Sequence, residues 1–101
     1  MAKDKLEMHK EICERMTKLY GAKNHDYGDS FVKLRAEYPE SICYRLTDKL
    51  NRLKTLYKTN KQYVKDESVE DTLIDIANYC VMELIELKEA NEKNISFSER
   101  S

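Results

Sequence analysis

The chain is 101 residues long, with 18 Lys+Arg against 19 Asp+Glu and a formal net charge of -1. That length holds one domain with a modest core, and the balanced charge excludes the strongly basic footprint of a protein that works directly on duplex nucleic acid. A charged content of 37% with only 2 Gly and 1 Pro leaves few places for tight turns and favours helices.

No run approaches the roughly 20 apolar residues that span a bilayer, and the opening MAKDKLEMHK lacks the continuous apolar core of a secretory signal. A cytosolic protein with no membrane partner is expected. Cys13, Cys43 and Cys80 are far apart, inside predicted helices and outside any CxxC pair, so they read as buried free thiols, not as zinc or redox groups.

Residues 4–20 place Leu6, His9, Cys13, Met16 and Tyr20 at steps of three and four, with Ile12 and Leu19 beside them, which predicts a first helix with one apolar face. Gly21 is expected to stop it, since a residue without a Cβ takes positive φ at little cost. His9 reads as a residue on or beside that face. The stretch KNHDYGDSF, 23–31, then breaks the pattern and gathers Lys23, His25, Asp26, Tyr27 and Asp29. It reads as a turn, or as a loop dense enough in charge and aromatic surface to close on a ligand. Residues 31–38 offer Phe31, Leu34 and Tyr38 for a short connector helix before Pro39, which disfavours helical geometry in the residue ahead of it.

Residues 40–57 form a second long helix with Ile42, Leu46, Leu50, Leu53 and Tyr57 expected on its buried face. Arg45, Asp48, Lys49 and Arg52 fall together on a flank as a mostly cationic stripe. The bland alternative is a solvated face with an Asp48–Arg52 pair worth a few tenths of a kcal/mol. Residues 58–67 read as a polar connection, its lysines serving solubility or the rim of an anion site. Residues 91–101 read as a flexible tail beyond a single helical domain over 1–90.

The third long helix starts near Ser68, whose hydroxyl can accept from the Asp71 N–H in an arrangement close to a capping box. Val69, Leu73, Ile76, Cys80, Leu84 and Leu87 define its apolar line, which Ile74, Val81 and Ile85 widen into a broad arc. One neighbour cannot cover such an arc, so the helix is expected to be surrounded by others or to bury a second side against another subunit, and a homo-oligomer is expected. Asp71 and Asp75 stack on one face, with Asn78 and Met82 continuing the row. Two carboxylates so placed repel, and no lysine four residues on relieves them. Magnesium would, since it commonly takes one or two carboxylates while keeping waters and a substrate phosphate. The alternative is a helix cap at Asp71 and a water-facing acid at Asp75.

Taken in order, HDYGDSF, YRLTDKLNRLKTL and VKDESVEDTLIDIANY resemble the small phage and bacterial proteins called nucleotide modification associated domain 1, from about Leu19 to Leu87. That family in turn is similar to the all-α nucleoside triphosphate pyrophosphohydrolases of the MazG and dimeric dUTPase type. Those hold magnesium on a helix pair bearing ExxE and ExxD, and their sites form at or near helical subunit interfaces. The resemblance implies a MazG-like helical bundle of three long helices plus a connector, oligomeric, in the bacterial or phage-infected cytosol. Asp75 stands at the position of the last acid and Asp71 one step off the usual spacing. The second helix departs from the pattern: Arg45, Asp48, Lys49 and Arg52 stand where two acids would be, leaving Asp48 alone as a ligand.

Three readings follow. In the first, the protein is a magnesium-dependent nucleotide pyrophosphohydrolase tied to phage nucleotide metabolism or modification. Its metal sits on Asp48, Asp71 and Asp75, with Glu67 or Glu70 in support. Lys23, Arg45, Lys49 and Arg52 meet the phosphates, Tyr27 or Tyr79 the base, and Asp26 or Glu70 orients the water or a sugar hydroxyl, with Asn78 completing the row. In the second, the substituted cations hold phosphate without metal and the protein binds or sequesters a nucleotide. In the third, it is a helical adaptor whose polar rows are solvated.

Overall fold

The computed structural model describes residues 4–59 and 68–100, and within these the side chains of all but 25–26 and 93–100. Among them every element is a helix: α1 (Lys5–Glu37), α2 (Ser41–Thr59) and α3 (Val69–Arg100). The all-α class expected from composition is what the chain adopts. No described helix is long and apolar enough to cross a membrane.

The helix ends follow local chemistry. The Asp4 side chain accepts from the Glu7 N–H at 2.8 Å and caps α1. Tyr38 closes that helix by donating its N–H to the Leu34 carbonyl at 2.8 Å, and Pro39 follows in the turn to α2. At α3 the Asp71 N–H donates to Ser68 Oγ at 3.1 Å while the Ser68 N–H reaches back to Asp71 Oδ2 at 3.3 Å, the reciprocal pair of a capping box.

The expected break after the first helix is corrected. The helix does not stop at Gly21: residues 23–31, read as a loop, and 31–38, read as a separate connector helix, are both part of α1. No proline interrupts the stretch, and a glycine inside a helix costs only about 1 kcal/mol relative to alanine, too little to break 33 residues of continuous ladder. At the far end, helical backbone runs on to Arg100 through a segment without apolar periodicity. The connection expected at 58–67 begins with Lys58 and Thr59 still inside α2, and its remainder, Glu67 included, lies outside the described residues.

The core is small. Tyr27, Phe31 and Met82 are buried together, with Tyr20, Ile42 and Tyr79 packed against them. Tyr27 and Tyr79 meet edge to face at 5.3 Å between ring centroids, and Phe31 stacks on Tyr79 at 6.1 Å. Arg35 clamps α1 to α3 with a two-pronged contact, Nε and Nη2 each donating to a Glu83 carboxylate oxygen at 3.0 Å.

The helices turn different faces inward than apolar periodicity alone predicts. On α3 the buried residues are Val69, Thr72 at 0% exposure, Ile74, Asn78 at 3% and Met82, so Asn78 and Met82 of the polar row turn inward while Asp71 stays exposed, and Leu73, Cys80, Leu84 and Leu87 of the expected apolar line are exposed. On α2, Leu50 and Tyr57 are exposed, while Arg45 and Lys49 of the cationic stripe are partly buried. All three cysteines are free, as expected, but exposed, because each rides on a face that the other two helices leave uncovered.

Candidate functional site

Once α1 is continuous, Arg15, Lys18, Leu19 and Lys23 fall on one side of it at steps of three, one and four. Across from them stand Asp71, Ile74 and Asp75 of α3. Together these residues line an open cleft of about 550 Å³. Three cations on one wall thus face two carboxylates on the other. Lys23, Asp71 and Asp75 were legible as site residues in the sequence; Arg15 and Lys18 were not, because ending the helix at Gly21 separates them from Lys23. Their shared helical arc with Lys23 was the available signal.

Asp75 is where the three helices meet. Its Oδ1 accepts from the Tyr27 hydroxyl at 3.0 Å and its Oδ2 from Lys49 Nζ at 3.1 Å. Burial first, and then the negative charge of Asp75, push the Tyr27 phenol well above the usual tyrosine range, so it is held as a hydrogen-bond donor. Lys49 and Asp75 side chains are each 21% exposed, so the pair is shielded from most of the screening that weakens surface ion pairs.

Asp71 has two tasks. Its Oδ2 takes both the hydroxyl and the N–H of Ser68 in the cap, and its Oδ1 lies 3.6 Å from Arg15 Nη2. Arg15 also donates to Glu70 Oε2 at 3.4 Å, with the Glu70 side chain 78% exposed. These contacts are long and solvated, so Arg15 can exchange them for another anion at small cost.

The remaining predicted site residues are dispersed. Arg45 Nη1 donates to the Tyr79 hydroxyl at 3.2 Å, and its guanidinium carbon sits 5.3 Å from the Tyr79 ring centroid and 5.7 Å from that of Phe31. Its role is to join α2 to the aromatic core. Tyr27 and Tyr79 spend their ring faces on that core and on each other. Asn78 is buried and donates from Nδ2 to the Met16 carbonyl at 3.4 Å, tying α3 to α1. Asp48 and Arg52 are exposed on α2 and are not among the residues lining the cleft. The side chain of Asp26 lies outside the described residues.

As arranged in one chain, these residues do not fit a magnesium site. Both Asp75 oxygens are engaged, and an ammonium stands where a cation would approach Oδ2. Asp48 does not join Asp71 and Asp75 at the cleft, and among the described residues no three His, Cys, Asp or Glu side chains gather as a metal-holding group.

Fold and site together define a small all-α protein with a mixed-charge cleft between its first and last helices. The chain belongs to the nucleotide modification associated domain 1 family, whose model matches residues 23–87, and this membership gives it a nucleotide-related role. The match spans Lys23, Lys49, Asp71 and Asp75 and begins after Arg15 and Lys18. No curated protein and no solved structure matches the chain.

Proposed function

We propose that the protein binds a nucleotide through its phosphates in the α1–α3 cleft, without turning it over. The observation that carries this reading is the row of Arg15, Lys18 and Lys23 along one wall of a cavity large enough for a nucleotide-sized ligand. Arginine offers a planar fork to phosphate oxygens and lysine a point charge, so the three suit a polyanion. Asp71 and Asp75 on the facing wall repel phosphate, which orients it toward α1, and they can accept from a sugar hydroxyl or a base amine. The Lys49 ammonium on Asp75 Oδ2, the oxygen a divalent cation would need, supports binding over hydrolysis.

Thermal shift and calorimetry with nucleoside mono-, di- and triphosphates, with and without chelator, test this reading. Stabilisation by a nucleotide recovered intact is expected, and Lys18→Ala with Lys23→Ala should weaken it about tenfold per lysine, ~1.4 kcal/mol each. The absence of any shift across all common nucleotides would overturn it.

A second reading, magnesium-dependent pyrophosphohydrolysis of the MazG type, is favoured by Asp71 and Asp75 lining the same cleft one helical turn apart. It requires Lys49 to leave Asp75. Conversion of a triphosphate to monophosphate and pyrophosphate only when magnesium is added would establish it in place of binding alone.

A further inference from the structure

The α1 wall of the cleft is not charged along its whole length. Arg15, Leu19 and Lys23 stand on one line at steps of four with Lys18 beside Arg15, so an apolar side chain separates two cationic positions about 12 Å apart at the usual helical rise. On the facing wall Ile74, 7% exposed, comes between Asp71 and Asp75. Arg15 meets Asp71, and Tyr27, one turn beyond Lys23, meets Asp75, so Asp71 lies toward the Arg15 end and Asp75 toward the Lys23 end. The cleft therefore has two charged ends around an apolar middle.

Both ends have positive charge to spare. Among the residues lining the cleft, Arg15 and Lys18 face Asp71 at one end, with Asp71 Oδ1 3.6 Å from Arg15 Nη2. At the other end Lys49 already sits on Asp75 at 3.1 Å, which leaves the charge of Lys23 for something else. Among the described residues neither Lys18 nor Lys23 has a carboxylate partner.

Resting on the reading that the cleft takes a nucleotide by its phosphates, we infer that its ligand is a nucleoside phosphorylated on both the 5′ and the 3′ oxygen, with one phosphate at each end and the sugar and base over Leu19 and Ile74. A 5′-polyphosphate keeps its charges in one run. Placed at either end it leaves the cation of the other end unmet, and laid across the middle it takes an anion out of water onto Leu19 and Ile74, a transfer that costs free energy with no compensating partner. A 3′,5′-bisphosphate parts its two anionic groups by the ribose, whose carbon face and attached base suit an apolar surface. A free bisphosphate fits better than an internal stretch of nucleic acid. A strand running on past Arg15 would meet Glu70, whose side chain is 78% exposed, and the chain as a whole carries a formal net charge of -1.

Calorimetry of the full chain with matched pairs, the 3′,5′-bisphosphate and the 5′-diphosphate of each common ribonucleoside, tests the inference. Members of a pair share base, sugar and number of phosphates and differ only in where the second phosphate is attached. The bisphosphate is expected to bind about tenfold more tightly, the scale of one charge-assisted contact. Lys23→Ala, at an exposed position, should reduce that preference to less than about twofold. Equal binding within every pair, or tighter binding of the diphosphate, would overturn the inference and leave phosphate-led nucleotide binding standing, as would a preference that survives Lys23→Ala undiminished. A trinucleotide bound more tightly than the bisphosphate of the same base would overturn the assignment to a free ligand. Absence of binding by both members of every pair and by all other common nucleotides would remove the binding reading itself, and the inference with it.

Discussion

Lys49 Nζ on α2 lies 3.1 Å from Asp75 Oδ2 on α3, with each side chain 21% exposed and the Tyr27 hydroxyl on the other carboxylate oxygen. This contact turns the most conspicuous acid of the sequence from an open metal ligand into the junction of three helices. Asp75→Asn is therefore expected to destabilise the fold by about 2 kcal/mol, the scale of losing a hydrogen bond to a charged group. Lys49→Met alone should cost a similar amount, and the double variant less than the two together, because neither leaves the other's charge stranded. Urea unfolding of the four proteins measures the coupling; additive losses would show that the pair contributes nothing.

Tyr27 gives the protein an alkaline signature. Its folded pKa lies above the ordinary value near 10, so the unfolded chain gives up the phenolic proton first as pH rises. The stability linked to that proton is fully present below pH 10 and is lost as pH climbs toward the folded value. Tyr27→Phe should cost about 1 kcal/mol at neutral pH through the lost hydrogen bond to Asp75. Its deficit should shrink above about pH 10, where the wild-type chain loses the advantage. Urea midpoints at pH 8 and pH 10.5 for both proteins check this, and parallel curves would contradict it.

Gly21 separates the loop reading from the helical one. Nothing lies within 4 Å of where its Cβ would stand, and the residue sits inside α1. Gly21→Ala should raise stability by about 1 kcal/mol through helix propensity. A glycine holding a left-handed helix end would respond with the opposite sign, so a thermal melt decides between the two backbones. At Gly28 the outcome differs, since a Cβ there would run into Asn24 Oδ1 and come within 3.3 Å of the Tyr20 hydroxyl.

Arg35 and Glu83 form the other clamp between α1 and α3, with side chains 24% and 19% exposed. The hydrogen bonds to Glu83, and then its charge, hold the guanidinium pKa above its ordinary value, so Arg35 stays the cationic half of the contact. Arg35→Lys keeps the charge and loses the fork, and is expected to cost about 1–2 kcal/mol. A denaturation midpoint unchanged from wild type would show that charge alone suffices.

The sequence by itself determined the features that local chemistry decides. Helical class follows from the scarcity of glycine and proline, the end of α1 from the tyrosine and proline at 38–39, and the start of α3 from Ser68 and Asp71 three residues apart. The row Asp71, Asp75, Asn78 and Met82 was equally legible, since a helix places residues spaced by three or four on one line whatever surrounds it. Tertiary structure alone decided which side of each helix turns inward. Apolar periodicity reports that a face will be covered and is silent about what covers it; here α3 turns Thr72, Ile74, Asn78 and Met82 inward and leaves Leu73, Leu84 and Leu87 outside. The same holds for Asp75: spacing placed it beside Asp71, but only packing could bring Lys49 and Tyr27 to its two oxygens, because those partners are 26 and 48 residues away along the chain.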